Sequence, residues 1–191
     1  MRLDSLKLRL LPLLMALAVA LVPFWQYTLK LHEVSLRTQA AENRLQTQTF
    51  DKISGTPVRI LIPSLAIDLP VVKGSYSTAT QSWSVAGSSA NYATNTALIN
   101  NYRGQSLIYG HNNRHVFGTT LNLAPDAKAY VYTDNNHVFQ YAFAGSQSID
   151  PSRTDIFSAM SASGPGLKLM TCEGPNFEYR HYMSFSFVKA S

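Results

Sequence analysis

The single cysteine of the 191-residue chain, Cys172, ends the alternating apolar run Leu167-Lys168-Leu169-Met170-Thr171-Cys172, and Gly174-Pro175 opens a turn two residues later. A strand edge suits a reactive group, because the sheet fixes the backbone while the adjoining loop leaves the side chain accessible. One cysteine cannot close an internal disulfide, so it is a buried filler, a free reactive thiol or an intermolecular link. Its position selects the reactive thiol, and we read Cys172 as a nucleophile. A free thiol with a pKa near ~8.5 is only a few per cent ionised at neutral pH, so a cation or base must stand nearby.

Five histidines are available: His32, His111, His115, His137 and His181. His111 follows Leu107-Ile108-Tyr109-Gly110, an apolar strand ending in a glycine that lets the backbone turn, and so is presented at a strand terminus as Cys172 is. The plain alternative is a surface histidine hydrogen-bonded to Asn112 or Asn113. His115 lies four residues on, the spacing of a metal pair on one helix face. Asn112-Asn113-Arg114 between them is poor helix-forming sequence and lacks a zincin-type glutamate, so we expect no metal site and no cofactor. His137 falls in a strand as a packed or surface residue. Attack on a carbonyl also needs a group to hold the developing oxyanion. Arg180 is the candidate, because a hairpin after Cys172 places it on the neighbouring strand. Its alternative is an ordinary surface pair with Glu173 or Glu178.

These residues need a rigid frame, and after Pro57 the pattern is extended. Val58 to Ile62, Ala66 to Val72, Thr96 to Asn100, Ser106 to Tyr109, Ala129 to Thr133, His137 to Phe143, Leu167 to Thr171 and Tyr179 to Val188 are short β-branched or aromatic runs. Gly, Asn, Asp, Ser and Pro clusters separate them, which is the rhythm of an antiparallel sandwich or barrel, an all-β domain with little helix. Asp134-Asn135-Asn136 is a hairpin turn, and Met160 to Gly166 reads as a loop leading into the cysteine strand.

Ahead of this domain, Leu10 to Tyr27 carries no charge and follows Arg2, Lys7 and Arg9. About 18–20 apolar residues span a bilayer, and basic residues before them favour a cytoplasmic N-terminus. We divide the chain into a cytoplasmic segment (1–9), a transmembrane helix (10–28), a helical stalk or linker (29–56) and the β domain (57–191). A cleaved signal peptide is the alternative, since Ala16-Leu17-Ala18 and Ala18-Val19-Ala20 have the small-x-small form. Either reading exports the domain. Residues 1–55 hold seven Lys/Arg against four Asp/Glu, and the remainder nine against seven. The domain is thus only slightly basic, and without a dense basic stripe nucleic-acid binding lacks its electrostatic footprint.

Together these residues resemble the sortases, membrane-anchored cysteine transpeptidases of bacterial surfaces. Leu169-Met170-Thr171-Cys172 matches the last four positions of the family's Thr-Leu-x-Thr-Cys signature, with Lys168 in place of the first Thr, and Arg180 falls at its arginine. Ile108-Tyr109-Gly110-His111-Asn112, with Phe117 and Leu121 after it, resembles the Gly-His segment. Residues Ile62 to Val72 resemble the strands that open the domain. The resemblance implies a single closed antiparallel or mixed β-barrel with few short helices. It also implies Cys172 as nucleophile, His111 as general acid, Arg180 as stabiliser of the oxyanion and Thr171 beside the substrate. The expected reaction cleaves a sorting signal of the Leu-Pro-x-Thr-Gly type after Thr and passes the acyl group to an amine of a cell-wall precursor or a pilin. The expected setting is single-pass in a bacterial membrane, with the catalytic domain outside. An L,D-transpeptidase fits less well, because its arginine follows the cysteine almost directly. A papain-like protease starts a helix at its cysteine, which Gly174-Pro175 opposes. The alternative from another class is a non-catalytic, membrane-tethered β domain that binds peptides or scaffolds surface proteins.

Overall fold

A computed structural model describes residue 30, residues 32–39 and residues 51–191 except 78, 81 and 154. The chain divides into two units, residues 1–51 and Lys52–Ser191. In the first, residues 32–39 are helical with exposed side chains. The expected membrane helix at 10–28 lies outside the described residues. Among the described residues, no helix is long and apolar enough to cross a membrane.

Eight strands of the second unit build its main sheet: β1 (Pro57–Ile62), β2 (Ile67–Gly74), β3 (Ala90–Ala93), β4 (Gln105–Tyr109), β5 (Lys128–Thr133), β6 (Val138–Ile149), β7 (Gly166–Glu173) and β8 (Tyr179–Ala190). They close into a barrel in the order β6-β8-β7-β4-β3-β2-β1-β5. β7 runs parallel to β4 and β2 parallel to β3, while the other neighbours are antiparallel, so the barrel is mixed. Closure leaves no free sheet edge for another chain to extend. The hairpin expected at Asp134-Asn135-Asn136 joins β5 to β6. Asn136 adopts φ 65°, a left-handed conformation that asparagine tolerates, and Thr133 N–H donates to the His137 carbonyl at 3.0 Å.

Two apolar clusters follow from the period-2 alternation of the strands. The inner one fills the barrel with Ile60, Ile108, Phe139, Leu167, Leu169 and Met183, all inaccessible to solvent. The outer one joins Leu107, Tyr109, Met170 and Tyr182 to Ile156 and Met160, which stand four residues apart on one face of the helix Asp155–Ala162. This helix corrects the loop expected from Met160 to Gly166, whose first three residues are its last turn. Its amphipathic stripe is only two residues long, too short to show against the surrounding Ser and Ala. β3 was also absent from the expected strands. Ala90-Asn91-Tyr92-Ala93 has no alternation because all four residues are buried.

Candidate active site

β7 defines the site. Leu167 and Leu169 belong to the inner cluster and Met170 to the outer one, so alternation places Thr171 inward and Cys172 outward. On the antiparallel neighbour β8, Cys172 pairs in register with Arg180. On the parallel neighbour β4, Met170 pairs with Tyr109 and Gly110 N–H donates to the Met170 carbonyl at 3.1 Å, which brings the next residue, His111, level with the end of β7. Cys172 and Arg180 therefore sit on adjacent strands, and His111 lies two residues beyond the end of the third. Cys172, His111 and Arg180 line one cleft of about 260 Å³, together with Trp83, Val85 and Tyr109 among others.

Thr171 is 2 % exposed and its hydroxyl donates to the Gly110 carbonyl at 2.9 Å, tying β7 to the residue that precedes His111. Below it, Phe117 N–H donates to the His111 carbonyl at 3.1 Å. Gly110 is needed for a different reason from the turn expected of it. It has no positive φ, but a Cβ there would meet Val116 Cγ1 at 2.5 Å, so close packing of the following loop excludes a side chain. The His111 ring is exposed and has no hydrogen-bond partner among the described residues, whereas Asn113 Oδ1 accepts from His115 N–H and Val116 N–H instead. Cys172 is half-buried and its thiol is likewise unpartnered among the described residues.

Arg180 makes no ion pair with either glutamate. Its Nη1 donates to the carbonyls of Phe177 at 2.9 Å and Tyr179 at 3.0 Å. Those two bonds occupy both Nη1 hydrogens, which fixes the guanidinium plane and leaves Nε–H and the Nη2 hydrogens for a ligand. The turn that supplies these carbonyls holds two left-handed residues, Gly174 at φ 90° and Phe177 at φ 59°. Glu178 accepts from Asn176 N–H at 2.9 Å within the same turn. Glu173 points the other way. It accepts from the Ser148 hydroxyl and lies 3.2 Å from His181 Nδ1. Its carboxyl is held below the ordinary value, chiefly by the Ser148 hydrogen bond, with burial opposing and His181 adding.

Lys168, the departure from the signature, lies on the outer face and donates from Nζ to Ser184 Oγ at 2.7 Å. Burial pushes its amine down. His137 stands just ahead of β6 with its ring edge-on to Phe139, and no group of three potential metal ligands gathers among the described residues.

Sequence reasoning missed the wall of the cleft. Tyr76–Ser77 and Ser82–Trp83 form a small hairpin between β2 and β3, and Trp83 packs on Tyr109 with ring centroids 4.5 Å apart. Trp83 also meets Phe157 of the helix at 5.9 Å, so walls from two distant connections touch across β7. Tyr109 donates from its hydroxyl to the Ser84 carbonyl at 2.6 Å, and a side chain at Gly74 would collide with that hydroxyl. The available signal was Tyr76 and Trp83, two aromatics bracketing a Ser- and Thr-rich stretch. Without a partner in view, they resemble any exposed turn.

The comparisons with known proteins agree with this fold. The model of the sortase domain matches residues 60–186. The chain belongs to the sortase family. Sortase A of Listeria monocytogenes is 20% identical, with a TM-score of 0.58 over 71% of this chain and 90% of that one. Sortase E1 of Streptomyces coelicolor, solved with a tripeptide in the active site, is 20% identical, with a TM-score of 0.59 over 72% and 90%. Sortase C-3 of Streptococcus pneumoniae is 24% identical, with a TM-score of 0.58 over 75% and 67%. These likenesses establish the sortase fold. No curated protein matches the chain.

Proposed function

We propose that this sortase is a cysteine transpeptidase that cleaves a Leu-Pro-x-Thr-Gly-like sorting signal and transfers the released acyl group to an amine. The observation that carries the proposal is the cleft in which Cys172, His111 and Arg180 meet from two adjacent strands and just beyond the end of a third. The Cys172 thiolate attacks the carbonyl carbon of the scissile Thr-Gly bond, and the oxyanion that forms accepts hydrogen bonds from the free Nε–H and Nη2–H groups of Arg180. His111 then gives a proton to the departing amine as the C–N bond breaks, leaving a thioester on Cys172. An incoming amine attacks that thioester, loses a proton to His111 and expels the thiolate. Dividing one amide exchange into two acyl transfers avoids direct attack of an amine on an amide.

The lining of the cleft supports a peptide ligand. Trp83, Val85, Tyr109 and Met170 give it apolar walls, while the hydrogen-bonding groups cluster at the Cys172 end. Thr171 borders that end, and its inward hydroxyl, bonded to the Gly110 carbonyl, holds the backbone ahead of His111 rather than reaching the substrate. The tripeptide in the active site of the Streptomyces coelicolor protein is consistent with such a ligand. The acceptor is an amine of a cell-wall precursor or a pilin lysine. The charge-free run Leu10 to Tyr27 behind Arg2, Lys7 and Arg9 supports a single-pass anchor at 10–28 that leaves the barrel on the outer side of the bacterial membrane.

The test is mass spectrometry of the full-length chain incubated with a pool of Leu-Pro-x-Thr-Gly-like peptides and an amine, with Cys172→Ala as control. An acyl adduct on Cys172 and an amine-linked product are expected. An inert Cys172, unreactive toward peptides and toward thiol probes, overturns the proposal in favour of a peptide-binding domain.

A further inference from the structure

Directly behind the catalytic pair, on the inner face of the same strands, lies a polar network with no part in the chemistry above. Glu173 follows Cys172 and His181 follows Arg180, so both project to the face opposite their reactive neighbours. His181 is only 8 % exposed, and its Nδ1 lies 3.2 Å from Glu173 Oε2. The third member comes from β6. Early in that strand the odd-numbered residues Phe139 and Tyr141 face the core, but a bulge between Phe143 and Gly145 inserts one residue and reverses the alternation. Ile149 consequently joins the outer cluster, and Ser148 turns inward opposite His181, where its hydroxyl donates to Glu173 Oε2.

The connection is specific in where it acts. One carboxylate oxygen joins three strands at the last register positions before the turn that carries the Phe177 and Tyr179 carbonyls. Beyond Glu173 the ladder ends, and two left-handed residues follow within four positions. Strand ends fray unless something ties them, and here the tie lies one residue from Cys172 and one from Arg180. The order of atoms, Ser148 to carboxylate and His181 to the same carboxylate, does not give a hydrolytic triad, in which the histidine stands between the other two. It gives a brace.

Resting on the transpeptidase reading, we infer that Ser148, Glu173 and His181 are positioning residues that hold Cys172 and Arg180 in register for attack on the substrate carbonyl. The network touches the cleft only through the backbone, so its loss lowers the rate of the chemical step and leaves peptide binding in place.

The experiment compares Glu173→Ala, His181→Ala and the double variant in the full chain, reading kcat and KM separately and the rate of Cys172 alkylation by iodoacetamide. Each single variant is expected to lose roughly ten- to hundredfold in kcat, the usual scale for a small misplacement of reacting groups. KM stays within about twofold, and the double variant is no slower than the worse single one. Glu173→Gln, which still accepts from Ser148 and His181, and His181→Asn, whose Nδ2–H replaces Nδ1–H, restore most of kcat. Alkylation falls and recovers in the same order. If kcat is unchanged, if the two losses multiply, or if KM rises while kcat holds, the brace is refuted. Should the wild-type protein turn over no peptide, the transpeptidase reading fails by itself, and alkylation still decides: a fall reversed by Glu173→Gln supports the brace, and an unchanged rate refutes it. Should the alanine variants not fold, Ser148→Ala, which removes one exposed hydroxyl, carries the same comparison.

Discussion

Thr171→Val tests whether one buried hydroxyl holds the histidine strand to the cysteine strand. Thr171 is 2 % exposed, and its hydroxyl supplies the Gly110 carbonyl, itself buried, with a donor at 2.9 Å. Valine has nearly the same shape, so no cavity opens and the change isolates the hydrogen bond. A buried acceptor left without its donor costs about 1–3 kcal/mol. Thr171→Ser is the informative partner. It keeps the donor and loses one methyl group, worth about 0.8 kcal/mol. The more polar and smaller serine variant is therefore expected to be the more stable of the two, the reverse of what core hydrophobicity alone would give. Urea unfolding measures this as a lower midpoint at unchanged slope for valine. Because the Gly110 carbonyl immediately precedes His111, valine also lowers kcat in the peptide and amine assay while serine retains most of it. A valine variant as stable as wild type, with serine the weakest, would show that packing and not the hydrogen bond joins the strands. A valine variant at full kcat would refute the link from Thr171 to His111.

Four further outcomes are expected. Cys172→Ala, His111→Ala and Arg180→Ala each abolish or strongly reduce turnover with little change in unfolding midpoint, since the first two side chains have no partners to lose; full activity in Arg180→Ala removes its role. The rate follows a bell-shaped pH profile, because ionised thiol and protonated imidazole are needed together, and a monotonic rise with pH argues against His111 as the acid. Glu173 has a folded pKa below its unfolded one, so its contribution is fully present above the unfolded carboxyl value near ~4.3 and is lost as pH falls through the folded one; the stability gap between wild type and Glu173→Gln therefore closes in acid, and a gap that is constant down that range contradicts the assignment. In a Trp25→Phe background Trp83 is the one tryptophan, and a bound sorting peptide shifts its emission as it packs against the wall that Trp83 and Tyr109 form together; an unchanged spectrum at saturating peptide places the ligand elsewhere.

The sequence alone determined which residue types are available for chemistry and most of the frame. A single cysteine at the end of an alternating strand, a histidine after Leu-Ile-Tyr-Gly and an arginine one hairpin away are local patterns, and period-2 alternation marks a half-buried strand wherever it occurs. Where alternation was missing the reading failed for the same physical reason: Ala90–Ala93 is buried on both faces, and the helix Asp155–Ala162 buries only two side chains, Ile156 and Met160. Tertiary structure decided what spacing leaves open. The parallel pairing of β7 with β4 across an intervening stretch of about sixty residues, visible as Met170 opposite Tyr109, is what brings His111 to Cys172. It also decided that Glu173, facing inward on its own strand, meets Ser148, which a bulge at Gly145 turns inward on a third strand, and that Arg180 is left to backbone carbonyls. Residue types set which reactions are available, whereas contacts between segments far apart in the chain settle which of the available partners each side chain meets.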